Sequence, residues 1–528
     1  MKSRSFASGA LILAVGGMIA KILGAVYRIP LTNILGAEGI GKYQLVFPLF
    51  ALLLAVSCNA LPVAVSRMVA SDRARGLDQG IKNTMGASLL YATLAGLLSM
   101  ALMIVVAPYL AKVQGVEGLE ICYRILAPTI LVVALSGVLK GWFLGTSDTV
   151  PCAATQPIEQ IVKLAVGILL AKLLLPRGII WGVAGALVGV AVSELVGLVT
   201  LAIWYAVTRR ESKGISFVDP ALGLYRLTKI ATPITLSSLI FPIVTFVDSI
   251  LIVKVLTYSG TDGAMAVTQY GLLTGPVSTL VNMPVVVALS LAVAIVPVVS
   301  GHLATYDVEA IKQKTALSIK LAYLIGVPCA VGMWILASPI LKLLYPTMNA
   351  LESQLSVRLL RVQTPIIILL SQLEVFNATL QGLDKAPKVV LNVAIGGIVK
   401  IGLEVLLIYR QGIVGASVAL VVFYALSGAL DMALYQKLVG KNTQLVKSIG
   451  KILLSSAIMT VAIVYLPKLI ASPLVTTVVV TAVGAIVYLI AVATLRVLSS
   501  EEVKCLPLPA KLKKGRVKRY DYRRRNGN

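Results

Sequence analysis

Lys21 and Arg28 sit in AKILGAVYRIP (residues 20–30), inside an apolar run otherwise fit for lipid. A cation near a bilayer centre costs about 2.5–3.5 kcal/mol on insertion scales, so it faces protein, water or a partner. Two helical turns return almost to the same angle, so the seven-residue spacing puts both cations on one face. Such a pair is suited to holding an anion. Lys21 falls near the middle of its segment, where snorkelling reaches least far, and is read as a cavity residue. Arg28 near the outer end, and Arg67 near the inner end of the next segment, could each be a site or a stem in lipid with a wet head.

PIEQIVKL (157–164) places Glu159 and Lys163 four apart on one helix face, in the favourable acid-first order. They either neutralise one another or form an internal device, and Lys400 and Glu404 repeat the pairing in reversed order further along. Glu194, Asp248, Glu374 and Asp431 are single acids deep in apolar segments. Each could carry H+ or Na+, or pair with a neighbouring cation. Other chemistry is missing. There is no G-x-x-x-x-G-K-[ST] loop, no H-E-x-x-H and no Cys/His cluster. Cys58, Cys122, Cys152, Cys329 and Cys505 are dispersed without a C-x-x-C, which argues against a disulfide framework or zinc site. His302, the one histidine, reads as an interfacial polar residue. Nothing implies a cofactor or a metal, and the pattern is that of a secondary transporter rather than an enzyme.

The elements that must hold these residues are membrane helices. Of 528 residues, 58% are hydrophobic and 13% charged, with mean hydropathy +0.93, too little charge to cover a soluble protein of this length. Spanning-length segments fall at roughly 7–29, 44–67, 84–110, 121–144, 152–175, 179–207, 228–254, 268–300, 316–337, 358–381, 387–409, 413–437, 448–470 and 473–497. That predicts an all-α polytopic protein of about fourteen transmembrane helices. The positive, then apolar, N-terminus resembles a signal peptide, but without a convincing A-x-A site it is read as a retained first helix.

Lys and Arg concentrate in alternate loops, among them Arg73, Arg75, Arg209, Arg210, Lys385 and Lys388. With an even helix count, this predicts that both termini are cytoplasmic in a bacterial plasma membrane. The basic tail KLKKGRVKRYDYRRRNGN reads as a strip for anionic lipid rather than nucleic acid.

The chain repeats itself. RILAPTILVV (124–133) answers RVQTPIIILL (361–370), and IVK (161–163) recurs at 398–400 with the same offset. GVAGALV (182–188) answers GIVGASV (412–418), and GIKNTMGAS (80–88) answers AIKQKTALS (310–318). Ordered matches over two six-helix halves predict parallel repeats with a substrate site between them near the midplane. The expected units are an N-terminal lobe (1–208), a cytoplasmic linker (209–227), a C-terminal lobe (228–440), two extra helices (441–503) and the tail (504–528).

AKILGAVYRIPLTNILGAEGIGKYQ (20–44), LKGWFLG (139–145) with PIEQIVKL, and YGLLTGPVSTLVNMPVVVALSLAVAIVPVVS (270–300) resemble the MOP superfamily of oligosaccharidyl-lipid flippases. The branch they resemble is that of stage V sporulation protein B and the lipid II flippases. The resemblance implies a V-shaped, bilobed transporter moving a polyprenyl-pyrophosphate-linked sugar, such as lipid II or a spore-cortex precursor, to the outer leaflet. It puts Lys21 and Arg28 where lipid II flippases carry basic first-helix residues, which makes the expected anion a pyrophosphate. Two positions depart from the Gram-negative pattern: Thr279 stands about where an arginine is found, and Lys42 close to where an acid is found. Arg67 and Lys254 are candidates to complete the cationic site. Coupling to membrane potential, H+ or Na+ stays open, with Glu159, Lys163, Asp248, Glu374, Lys400 and Glu404 as the charges concerned. The alternatives are a cation-coupled multidrug antiporter of the same superfamily, and a non-transporting scaffold for cell-wall synthesis enzymes.

Overall fold

The computed structural model describes residues 6–208, 220–466, 472–498 and 502. The linker residues 209–219 and the tail from 503 onward, with its expected lipid contacts, lie outside the described residues. Those described are helical throughout, joined by short turns. In chain order the helices are α1 (Phe6–Ser57), α2 (Leu61–Ala74), α3 (Asp78–Val113), α4 (Leu119–Gly145), α5 (Val150–Leu174) and α6 (Ile179–Thr208). The second half has α7 (Pro220–Ser238), α8 (Ile240–Tyr258), α9 (Gly263–Leu272), α10 (Ser278–Ala304), α11 (Val308–Ile335), the short α12 (Ala337–Leu344), α13 (Ala350–Gly382), α14 (Ala386–Gln411) and α15 (Ile413–Val439). Then follow α16 (Thr443–Ile463) and α17 (Pro473–Thr494).

Among the described residues, twelve helical runs are long and apolar enough to cross a membrane. One of them, Val15–Ala74, holds two crossings, because the chain reverses at Gly36. Gly36 has φ 69°, a left-handed conformation open to glycine at little cost. The reversal brings Tyr27 close to Tyr43, which a straight helix would hold some 24 Å apart at about 1.5 Å per residue. α5 is a further crossing, its mean hydropathy lowered by Glu159, Lys163 and Lys172. The described residues thus hold fourteen crossings.

Two differences from the segment boundaries matter. The seventh crossing begins at Pro220, inside the stretch assigned to the linker, because Pro220 starts the helix and PALGLYRL continues it. That crossing is also broken into α7 and α8 at Leu239. The eighth runs over 263–304 and carries a π turn at Leu273–Val277. Pro276 has no N–H to give the ladder, and the Ser278 hydroxyl donates instead to the Leu273 carbonyl at 2.8 Å.

The repeat is visible in the packing. In the first half α1 packs on α5, α5 on α6, and α4 on α2, α3 and α6. In the second, α8 packs on α14, α14 on α15, and α13 on α10, α11 and α15. At one end of the molecule the halves share a single apolar core, which takes in Leu31, Ile40, Tyr123, Val267, Leu280, Tyr345 and Ile367. At the other end the cores are separate. One is built around Leu61, Met85, Val138 and Leu201, the other around Ile295, Ile319, Val375 and Tyr435. A bilobed molecule, sealed at one end and parted at the other, follows from this distribution. The seal includes very close backbone approaches: a Cβ on Gly41 would strike the Val267 carbonyl, and one on Gly271 the Ala37 carbonyl. Asn33 Nδ2 donates to the Leu344 carbonyl at 2.7 Å, and Gln44 Nε2 to that of Thr274 at 3.1 Å.

Candidate substrate cavity between the two halves

Lys21 lies midway along the first limb of α1, and its side chain is exposed although it stands at mid-membrane depth. Gly17 and Gly24, on the same face, look onto the side chains of Gln156 and Gln160 of α5. The surroundings of Lys21 are therefore polar. Its charge is felt by Glu374 of α13, across the space between the halves. Neither group has an ion-pair or hydrogen-bond partner among the described residues.

Arg28 is half-buried, toward the sealed end. It lies within electrostatic reach of Tyr27, Tyr43 and Tyr345, and of Lys163. The cationic face predicted from the seven-residue spacing thus runs from the open gap at Lys21 to its closed apex at Arg28. Arg67 and Lys254 are exposed, and no contact joins them to that face among the described residues.

Glu159 and Lys163 make no direct ion pair with each other, although Lys163 is within electrostatic reach of Glu159. Glu159 is buried and takes its salt bridge from Lys140 of α4 at 3.4 Å, while Lys163 stands 5.3 Å from the centroid of the Tyr27 ring. Tertiary packing of α5 against α4 and α1 outcompetes the i,i+4 contact, which is weak on its own. Lys400 and Glu404 do pair, at 2.7 Å, and Asp248 of α8 closes a buried triad on the same ammonium. Asp248 Oδ1 and Glu404 Oε2 take no hydrogen bond there. Asp431 accepts from Asn392 Nδ2 at 2.7 Å.

The two departing positions have local partners. The Thr279 hydroxyl donates to the Gly275 carbonyl at 2.6 Å, which ties the π turn to α10 and keeps the side chain buried. Lys42 pairs with Glu38 at 2.5 Å, one turn earlier on α1. Neither adds a charge to the gap.

Lys140, inside the motif LKGWFLG, is a partner of Glu159 that spacing along α5 does not reveal. Asp72, in the polar end of α2, likewise stands out only in three dimensions. That carboxylate is buried between α2 and α3, accepts from the Thr84 hydroxyl at 3.1 Å and binds Arg226 of α7 at 2.8 Å. This pair fastens the first helix of the second half to the first half.

A family model described as polysaccharide biosynthesis protein matches residues 6–302, and a second, MatE, matches residues 233–408. Stage V sporulation protein B of Bacillus subtilis (strain 168) is 29% identical over 445 residues, covering 83% of this chain and 85% of that protein. Lipid II flippase MurJ of the same strain is 25% identical over 478 residues, covering 86% and 87%. Among solved structures, lipid II flippase MurJ in an inward closed conformation superposes with TM-score 0.71 at 15% identity, over 92% of this chain and 98% of that one. A multidrug resistance MATE family transporter in an inward-facing conformation gives 0.64 at 17% identity, over 83% and 99%. The matched model covers more than half of this multi-span membrane protein, which therefore belongs to the polysaccharide biosynthesis protein family.

Proposed function

We propose that the chain is a flippase. It carries a polyprenyl-pyrophosphate-linked oligosaccharide, of the lipid II or spore-cortex precursor kind, from the cytoplasmic to the outer leaflet by alternating access. The observation that carries this reading is Lys21, an exposed cation at mid-membrane depth on the wall of a gap sealed at one end. An anion entering there meets Lys21 first and Arg28 at the apex, while its polyprenyl chain stays in the bilayer. The distribution of Lys and Arg puts the parted end on the cytoplasmic side, the side on which lipid-linked precursors are made. The relatives named lipid II flippase and stage V sporulation protein B support this substrate class.

Nucleotide hydrolysis has no motif in this sequence, so the cycle runs on a gradient: the membrane potential, H+ or Na+. The test is transport by purified protein in proteoliposomes, scored with a fluorescent polyprenyl-pyrophosphate disaccharide loaded in one leaflet. Movement that requires Lys21 supports the reading. No movement, together with exchange of a cationic dye for protons, would favour the antiporter instead.

A further inference from the structure

Lys21 and Glu374 bring opposite charges to the two walls of the gap. On the side of the first half stand Lys21, Gln156 and Gln160, with Lys163 and Arg28 further in. On the side of the second half stands Glu374, half-buried and without an ion-pair partner among the described residues. One turn along α13, Asn377 Oδ1 is buried and accepts no hydrogen bond. Tyr424 of α15 is near enough to Glu374 to feel its charge. A purely anionic head group held at Lys21 would be repelled by this wall, and a desolvated carboxylate without a cation is unfavourable. Fixed opposite charges facing each other across a gap fit a ligand that carries both signs.

We propose that the cavity selects a zwitterionic head group: the pyrophosphate is held on Lys21, and a primary ammonium on the sugar or its attached peptide is held by Glu374 with Asn377. This rests on the reading of the gap as the path of a lipid pyrophosphate, and it narrows the cargo to one with a free amine. The alternative role for Glu374 is a contact with Lys21 alone when the halves close.

The test uses the full chain in proteoliposomes and two probes, a polyprenyl pyrophosphate whose head group bears a primary amine and the same lipid with that amine N-acetylated. The wild type should move the free amine about ten-fold faster, the worth of one charge-assisted hydrogen bond. Glu374→Gln should abolish that preference by slowing the free-amine probe alone, and Glu374→Asp should keep part of it. Equal rates for both probes in the wild type would overturn the inference and leave the flippase reading standing. An equal loss for both probes in Glu374→Gln, in protein that elutes as the wild type does, would overturn it in favour of the Lys21 contact. Movement of neither probe by the wild type would overturn the flippase reading as well.

Discussion

Lys21 and Lys400 are both lysines inside membrane helices, and their surroundings assign them opposite duties. Lys21 is exposed and has no ion-pair partner among the described residues, so its removal costs the fold nothing. Lys21→Ala should insert and fold as the wild type does yet lose transport, and Lys21→Arg should keep part of it, since charge matters more than fork geometry for a flexible pyrophosphate. Wild-type flipping by the Ala variant in proteoliposomes would remove Lys21 from the site. Lys400 is buried between Asp248 and Glu404. Lys400→Met would strand two carboxylates in an apolar setting, a loss of about 3–5 kcal/mol. Thermal unfolding in detergent should fall accordingly, and adding Asp248→Asn and Glu404→Gln should recover most of the loss. Lys21 was legible in the sequence because a lone cation in an apolar run stands out by itself. Lys140 as the partner of Glu159, and Asp248 as the second partner of Lys400, were not, because they come from α4 and α8, and spacing along one helix reports only its own face.

Helices were the easiest elements to read, since each crossing needs about 20 apolar residues whatever its neighbours do. Their breaks were harder. The interruption at Leu239 and the π turn at Leu273–Val277 leave the hydropathy almost unchanged, because each breaks the ladder over a few residues that remain mostly apolar, whereas the turn at Gly36 falls in the polar gap between the first two apolar segments. These breaks lie on the elements by which the halves meet. α8 and α9 pack against α1, whereas α7 is tied to the first half through Asp72 and Arg226. The close approach of α1 to α9 should therefore be intolerant of bulk. Gly271→Val would drive side-chain atoms into the Ala37 carbonyl and the Gly41 backbone. The seal should open, and a cysteine in place of Asn33, whose amide bridges to the Leu344 carbonyl across the seal, should become more reactive toward a hydrophilic maleimide while transport falls. Unchanged reactivity would mean that the seal does not depend on this contact.

At the scale of the molecule, the shared core at one end and separate cores at the other fit one station of the proposed alternating-access cycle. The repeat had announced the two halves, and only tertiary packing could say which end is closed, since the hydropathy of a helix does not report which of its ends meets the other half. What drives the halves between stations can be argued from charge. Moving one charge across 100 mV is worth about 2.3 kcal/mol. In the loaded cavity the pyrophosphate and the charges of Lys21 and Arg28 compensate one another, so that step moves little net charge. With the cell interior negative, the emptied cavity, carrying the uncompensated charges of Lys21 and Arg28, is drawn back toward the inward-facing arrangement. The potential then acts on the return step. The charges cross only part of the field, so the gain per step is a fraction of the full figure. Collapsing the potential with valinomycin and high potassium, at constant pH gradient, should stop flipping and trap outward-facing protein. A cysteine in place of Asn33, at the sealed end where the halves meet, would report that shift. If neither its accessibility nor the flipping rate changes, the potential is not the driver. The Asp248–Lys400–Glu404 triad, with its two unfilled carboxylate oxygens, then becomes the group through which an ion gradient would act.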